Sequence, residues 1–281
     1  MNDMTTDHLT ASLPLTLFRM SGSKRAGTLL FFPDIGGNTI YARPLVQDLG
    51  HNVLCLGVRF APDMIEALAE LSLEDIGSRF AKDILEIQLP GPVCLLGFSF
   101  AASLAYETGR AMTKLGVAPD RIWILDMPAP VKLNIRSILK EPKFHLKSCY
   151  RYARSNWRRI ALGKYDPLIL HRYGGMGMDL RGHPESYRYI IGHLYGAFGR
   201  YEAKPSANSL TIFRAQNGRP ERNSAPDLGW GSIATGQVKS VAVPGDHLSM
   251  LRKPEYASVI AGHIASELKL FVTENIDETN G

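Results

Sequence analysis

Three side chains of this 281-residue chain could together turn a hydroxyl into a nucleophile: Ser99, Asp126 and His247, in that order along the sequence. A serine attacks a carbonyl only when it is exposed, next to a base, and facing backbone donors that can hold an oxyanion. Ser99 lies in the stretch VCLLGFSFAASLAY, Val93 to Tyr106. Val93-Cys94-Leu95-Leu96 is the short continuous apolar run of a buried parallel strand. Gly97 breaks the run. Small residues and Leu104 then lead into helical spacing through Tyr106, Glu107, Arg110 and Met112. A strand that turns sharply into a helix at Gly-Phe-Ser is the setting of a nucleophile elbow. Such a corner lifts the Ser99 hydroxyl off the sheet and aims the Phe100 N–H at the space where an oxyanion would form. Ala101 stands where the pattern G-x-S-x-G has its second glycine, a place where close helix–strand packing demands a small side chain.

The surrounding elements decide whether these residues can meet. Leu15 to Met20 reads as a first edge strand. Thr28 to Phe32 reads as a buried strand that stops at Pro33. The loop Asp34-Ile35-Gly36-Gly37-Asn38 follows, and paired glycines let backbone approach a ligand closely. It is either a plain turn or the loop after an early strand that supplies the second oxyanion donor of an α/β-hydrolase. Asn38 is expected to cap a helix carrying Tyr41, Leu45, Val46 and Leu49. Val53 to Val58 is the next strand. Ser72 to Asp75 forms a capping box ahead of Ile76, Phe80, Ile84 and Ile87 at helical spacing. Gly116 fits a helix C-cap.

Arg121 to Leu125 is another buried strand, ending at Asp126. Ser209 to Arg214 and Val238 to Val243 complete the strands. Pro244-Gly245-Asp246-His247 comes after the last one, ahead of a helix from about Pro254 to Phe271. Strands alternating with helices predict an α/β fold with a mostly parallel, doubly wound sheet. Ligands of such sheets bind beyond the carboxyl ends of the strands, where Ser99 and Asp126 both sit. An aspartate there serves as a turn or helix cap as readily as it serves a triad. The order Ser, Asp, His is that of the α/β-hydrolases.

Between about residues 129 and 203 the strand pattern vanishes. Lys132, Arg136, Lys140, Lys143, Lys147, Arg151, Arg154, Arg158 and Arg159 are spread among Tyr150, Tyr152 and Trp157. The expectation is one domain over 1–281, its core about 15–128 and 204–272, with a helical lid inserted over 129–203. The basic residues are either a solvated face or a docking surface for an acidic partner. Gly174-Gly175-Met176-Gly177 follows no strand, which makes it a flexible lid segment rather than a phosphate loop.

Composition narrows the function classes. Hydrophobic residues make up 45% and charged residues 21%, ordinary for a globular chain with a sizeable core. The net charge of +5 is moderate, and no Lys/Arg block with interleaved aromatics points to nucleic acid. No run approaches the roughly 18 apolar residues of a membrane span. The polar start MNDMTTDHLT is not a secretory signal. Cys55, Cys94 and Cys149 lack C-x-x-C spacing, and the first two sit in apolar strand runs, as expected of reduced thiols in a cytoplasmic protein. The other histidines show no ligand spacing such as H-E-x-x-H, so neither a metal nor a cofactor is expected.

With these residues in place, the chain resembles the thioesterase domains that release products from nonribosomal peptide and polyketide synthases. FFPDIGGNTIYARPL resembles the first strand and oxyanion motif of that family. GFSFAASLAYETGRAM resembles its elbow, and WILDMPAP its L-x-D strand end. LTIFRA, LGW and VPGDHLSMLRKP resemble its C-terminal blocks around the histidine. The resemblance implies an α/β-hydrolase fold with Ser99 as nucleophile, His247 as general base and Asp126 orienting the histidine. It also implies an oxyanion hole from the backbone N–H groups of Ile35 and Phe100. The substrate would be an acyl, peptidyl or polyketide thioester on the phosphopantetheine arm of a carrier protein, released by hydrolysis or cyclisation.

Some relatives place the acid after the next strand, but here Arg214-Ala215-Gln216-Asn217-Gly218 holds no Asp or Glu. That favours the product-releasing branch over the stand-alone editing branch. Asp34 departs from the family pattern, and its carboxylate is expected to point away from the oxyanion. The chain starts at Met1 with no carrier domain, so action in trans is expected. The competing readings are a general carboxylesterase or lipase on the same fold, and a hydrolase-fold binding protein without catalysis.

Overall fold

The computed structural model describes residues 16–21, 27–50, 53–131, 183–218 and 225–279, with side chains as far as residue 269. The first half of the fold runs β1 (Leu17–Ser21), β2 (Thr28–Phe31), a 3-10 turn (Ile40–Ala42), α1 (Arg43–Leu49), β3 (Leu54–Val58), α2 (Pro62–Ala67) and α3 (Leu73–Leu85). Then come β4 (Val93–Phe98), α4 (Phe100–Lys114) and β5 (Arg121–Leu125). After α5 (Glu185–Arg200) come β6 (Leu210–Ala215), a second 3-10 turn (Trp230–Ser232), β7 (Val238–Val243), α6 (Ser249–Arg252) and α7 (Pro254–Thr279). The strands form one seven-stranded sheet in the order β1-β3-β2-β4-β5-β6-β7. Only the edge strand β1 is antiparallel, to β3; the other pairings are parallel.

The central strands are continuous apolar runs because both of their faces are covered. Leu30, Leu56, Leu95, Ile122, Ile124 and Ile212 point to the side of α3 and α4, with Ile76, Phe80 and Leu104. Leu29, Phe31, Leu96, Trp123, Leu125 and Phe213 point the other way, to α1 and α7, with Leu45, Ile260 and Ile264. This is the doubly wound α/β sheet read from the sequence. Cys55 and Cys94 are free and buried within it, and burial pushes the Cys55 thiol up to about 12.

Several boundaries differ from the sequence reading. The Ser72/Asp75 capping box is present and starts α3 at Leu73. Asn38 does not cap α1, whose N-cap is Ala42; its Oδ1 accepts from the Ile40 N–H at the start of the 3-10 turn at 3.0 Å. Helix α2 was not expected, because its six residues are too few to show a period. At the C-terminus, α7 runs on to Thr279. Gly116 lies just beyond the end of α4 with φ +91°, where the Gly116 and Val117 N–H groups close the helix onto the Thr113 and Met112 carbonyls.

Of the expected lid, residues 132–182 lie outside the described residues. With them go Cys149, the basic residues Lys132 to Arg159, Tyr150, Tyr152, Trp157 and the Gly174–Gly177 segment. The two ends of the expected insertion are described. They are bonded together, Ala203 N–H to the Pro130 carbonyl at 2.9 Å. Helix α4 fastens the returning end. Tyr106 donates to the Lys204 carbonyl at 2.7 Å, and the Tyr201 hydroxyl donates to Glu107 Oε1 at 2.7 Å. Glu107 is 1% exposed and also accepts from Arg110 at 2.6 and 2.8 Å.

A buried carboxylate is tolerable only with its lone pairs taken and its charge matched, and here Tyr201 and Arg110 do both. Glu107→Gln leaves the Arg110 charge without its partner in a largely buried place. It is expected to lower unfolding stability by about 3 kcal/mol, read from urea unfolding midpoints.

Candidate active site

The site forms where four parallel strands end side by side. Phe98 pairs with Leu125, and Leu125 with Phe213, so the residues after β4 and β5 emerge as neighbours. Both leave their strand with a left-handed backbone: Ser99 has φ +54° and Asp126 φ +47°. Among the described residues only Leu228 shares this feature without being glycine. Such conformations cost about 1–3 kcal/mol each and persist where the surroundings impose them. Here the ladder imposes them, because Ser99 N–H donates to the Leu125 carbonyl at 3.0 Å and Asp126 N–H to the Phe213 carbonyl at 2.7 Å.

Gly97 makes the corner possible. A Cβ there would fall 2.3 Å from the backbone of Ala101 and Ala102, so α4 can fold back over β4 only across a bare backbone. Ala101 is fully buried at the helix start, and its methyl is accommodated in the core. Phe100 is the first residue of α4, so its N–H has no intrahelical acceptor.

Asp126 is 8% exposed, and both of its carboxylate oxygens are committed. Oδ1 accepts from the Ala215 N–H at the end of β6 at 2.9 Å, and Oδ2 bonds His247 Nδ1 at 2.8 Å. The bond to Nδ1 leaves Nε2 as the free nitrogen of the ring. The His247 side chain is 42% exposed. Its ring stacks on Phe98, the residue before Ser99, with centroids 4.7 Å apart and planes at 26°. His247 therefore lies over the end of β4 beside the serine corner.

Asp246 does not orient the histidine. Its carboxylate accepts from the Leu248 and Ser249 N–H groups at 3.0 and 2.8 Å, and these bonds hold its pKa below the usual carboxylate value. It caps α6 instead.

The loop after β2 folds on Asp34. Asp34 N–H donates to the Asn38 carbonyl, and Gly37 N–H to the Asp34 carbonyl. Asp34 Oδ1 accepts from the Gly36 and Asn38 N–H groups at 2.8 and 3.2 Å. Of the amides from Asp34 to Asn38, only that of Ile35 is left without an acceptor among the described residues. Burial raises the Asp34 pKa, and the two loop N–H groups oppose that shift.

Helix α5 covers the loop. A Cβ on Gly36 would meet the Tyr187 hydroxyl at 2.8 Å, and one on Gly37 would meet Ile190 at 3.4 Å. Phe198 of the same helix packs edge-on against Phe100, 5.3 Å between centroids. Two contacts were absent from the sequence reading: the Ala215 N–H that holds Asp126, and the Phe98 ring under His247. The first belongs to a backbone, which has no sequence signature. The second could have been sought at the x of G-x-S.

The cavity geometry adds a neighbouring feature. An open groove of about 980 Å³ is lined by the Gly37–Ile40 turn together with Phe18, Met20, Val46, Arg43 and Arg59. Neither Ser99 nor His247 lines it. Among the described residues no three His, Cys, Asp or Glu side chains gather as a metal site, and no helix is long and apolar enough to cross a membrane.

Residues 27–143 match the family model described as Thioesterase domain. A curated relative, a non-reducing polyketide synthase of Gibberella zeae, is 33% identical over 122 residues, which are 42% of this chain and 6% of that protein. The chain thus spans a small fraction of the relative it matches. Among solved structures, the type II thioesterase YbtT of the yersiniabactin pathway superposes with a TM-score of 0.63 at 17% identity, covering 91% of this chain and 99% of that one. The Vlm2 thioesterase domain with a bound dodecadepsipeptide superposes at 0.57 and 20% identity, covering 89% and 97%.

Asp34→Ala removes the two bonds that shape the loop and is expected to lower turnover about tenfold. A sharp rise in turnover would instead mean that the carboxylate faces the reacting oxygen. Residues 27–143 thus match the thioesterase domain model, and the described sheet has the α/β-hydrolase fold of the thioesterase structures on which it superposes.

Proposed function

We propose that the chain is a thioesterase that releases an acyl, peptidyl or polyketide chain from the phosphopantetheine arm of a carrier protein, with Ser99 as nucleophile, His247 as base and Asp126 as the group that orients the base. The observation that carries this reading is the 2.8 Å bond between Asp126 Oδ2 and His247 Nδ1 beside a serine held at φ +54° on a strand–helix corner, within a thioesterase-family segment.

In the reaction, Ser99 Oγ attacks the thioester carbonyl while His247 Nε2 takes its proton. Asp126 stabilises the imidazolium through Nδ1–H without itself being protonated. The Ile35 and Phe100 N–H groups hold the oxyanion. The tetrahedral intermediate collapses as His247 returns the proton to the departing thiol. Water then hydrolyses the acyl-enzyme, or a hydroxyl or amine within the acyl chain cyclises it. These steps use protein groups and a substrate-borne arm, so no cofactor of the chain's own enters them. The place of work would be the cytoplasm, alongside the synthase.

The position of the acid supports a product-releasing role. Asp126 occupies the end of β5 and already bonds the histidine, while β6 ends in a backbone N–H that serves Asp126. Similar structures include both a thioesterase domain with a bound dodecadepsipeptide and a type II thioesterase, so it is the acid's position that favours this branch.

Intact-protein mass spectrometry after mixing with an acyl-loaded carrier protein tests the reading. A transient mass gain on the native protein and none on Ser99→Ala is expected. Asp126→Asn is expected to lower turnover by about three to four orders of magnitude with the fold intact. Turnover of simple oxygen esters without any carrier-borne adduct would overturn the reading in favour of a general carboxylesterase. An absence of any adduct or turnover would overturn it in favour of a binding protein.

A further inference from the structure

Two aromatic residues lie against the proposed machinery without a step in the reaction. The Phe98 ring supports His247 from below at 4.7 Å and 26°. Tyr41 also packs against Phe98, centroids 5.7 Å apart at 43°. The Tyr41 hydroxyl donates to the Phe32 carbonyl at 2.8 Å, with the Leu96 carbonyl at 3.5 Å. Phe32 is the last residue before the Pro33–Asn38 loop, and Leu96 lies in β4 two residues ahead of Phe98. One continuous set of contacts therefore runs from the root of the candidate oxyanion loop, through Tyr41 and Phe98, to the imidazole. Burial raises the Tyr41 hydroxyl far above its ordinary value, which keeps it a donor across the working pH range.

A single bond does not fix a histidine. The Nδ1 bond to Asp126 leaves the imidazole free to rock about that axis, and the side chain is 42% exposed. Asp126, just after β5, is the charged group bonded to it, and the neighbouring Asp246 carboxylate is turned to the Leu248 and Ser249 N–H groups. Contact with the face of the ring comes from Phe98. We infer that Phe98, braced by Tyr41, is a positioning residue that sets the plane of the His247 imidazole between Asp126 and Ser99; this rests on the triad reading above. An aromatic face also attracts a cation lying on it, and His247 becomes a cation only as the Ser99 proton moves. The benefit therefore falls on the transition state and on kcat rather than on KM.

The test uses the full chain with Phe98→Leu, Phe98→Tyr and Tyr41→Phe. Phe98→Leu is expected to lower kcat about tenfold to a hundredfold with KM within about twofold, whereas Phe98→Tyr keeps kcat within about threefold. Proton NMR without substrate supplies a second readout. The carbon-bound ring protons of His247 should be shifted upfield by Phe98 in the native protein and in Phe98→Tyr. They should move toward free-imidazole positions in Phe98→Leu, and the low-field Nδ1–H signal should broaden. Tyr41→Phe, which removes one oxygen, should move the same signals partway and serves if Phe98→Leu does not fold. Unmoved His247 signals in both Phe98→Leu and Tyr41→Phe would overturn the inference, as would a loss confined to KM. The NMR result needs no substrate, so a wrong carrier assignment would leave it standing.

Discussion

The Asp126 carboxylate is the constraint on which the site depends. One oxygen is held by the backbone of β6 and the other holds the histidine that comes after β7. Its own backbone is held by the Phe213 carbonyl, and the adjoining β4–β5 pairing places Ser99 beside it. Four strands therefore meet through one side chain. A parallel sheet sets the relative heights of its strand ends through its register. A one-residue slip of β6 would carry the Ala215 N–H away and exchange the strand's side chains between the two cores. The geometry of the proposed triad is in this sense a property of the sheet.

The strain of two left-handed non-glycine residues is tolerated because the sheet beneath them is buried on both faces. The central strands place Leu, Ile, Phe and Trp side chains in two separate cores, and burial of each such side chain is worth about 1.5–3 kcal/mol. Against that, the two corners cost about 1–3 kcal/mol each. The Glu107–Arg110–Tyr201 cluster has a different task. Glu107 and Arg110 lie on the elbow helix beyond the bare Gly97 contact, and Tyr201, just after α5, is fastened to them. The helix that follows the serine and the segment after α5 are thereby joined by buried polar bonds rather than by surface contacts.

Much of this was legible in the sequence because the strands are buried on both faces. Continuous runs such as Thr28–Phe31 and Arg121–Leu125 announce parallel strands, and the residues just beyond each run then have a known place at the carboxyl edge of the sheet. Ser99, Asp126 and His247 were singled out in this way, by position more than by residue type, and the structure brings Asp126 and His247 into contact. Local chemistry was readable where it involves few residues, as in the Ser72/Asp75 capping box. Contacts that depend on the third dimension were not readable. The Phe98–His247 stack joins residues far apart in the chain, and the Ala215 N–H has no side chain to betray it. Tyr106 and Glu107 could be recognised as part of a motif, but that they serve the root of the insertion emerges only from Lys204 and Tyr201 across the fold. The short α2 escaped because six residues give less than two helical turns.

The most direct test of the account is a crystal structure of the protein after reaction with an alkyl fluorophosphonate, which mimics the tetrahedral intermediate. The account predicts phosphorus bonded to Ser99 Oγ, with the phosphonyl oxygen about 3 Å from the N–H groups of both Ile35 and Phe100 and His247 Nε2 facing Ser99. A phosphonate attached elsewhere, or one on Ser99 whose oxygen points away from both amides, would contradict it.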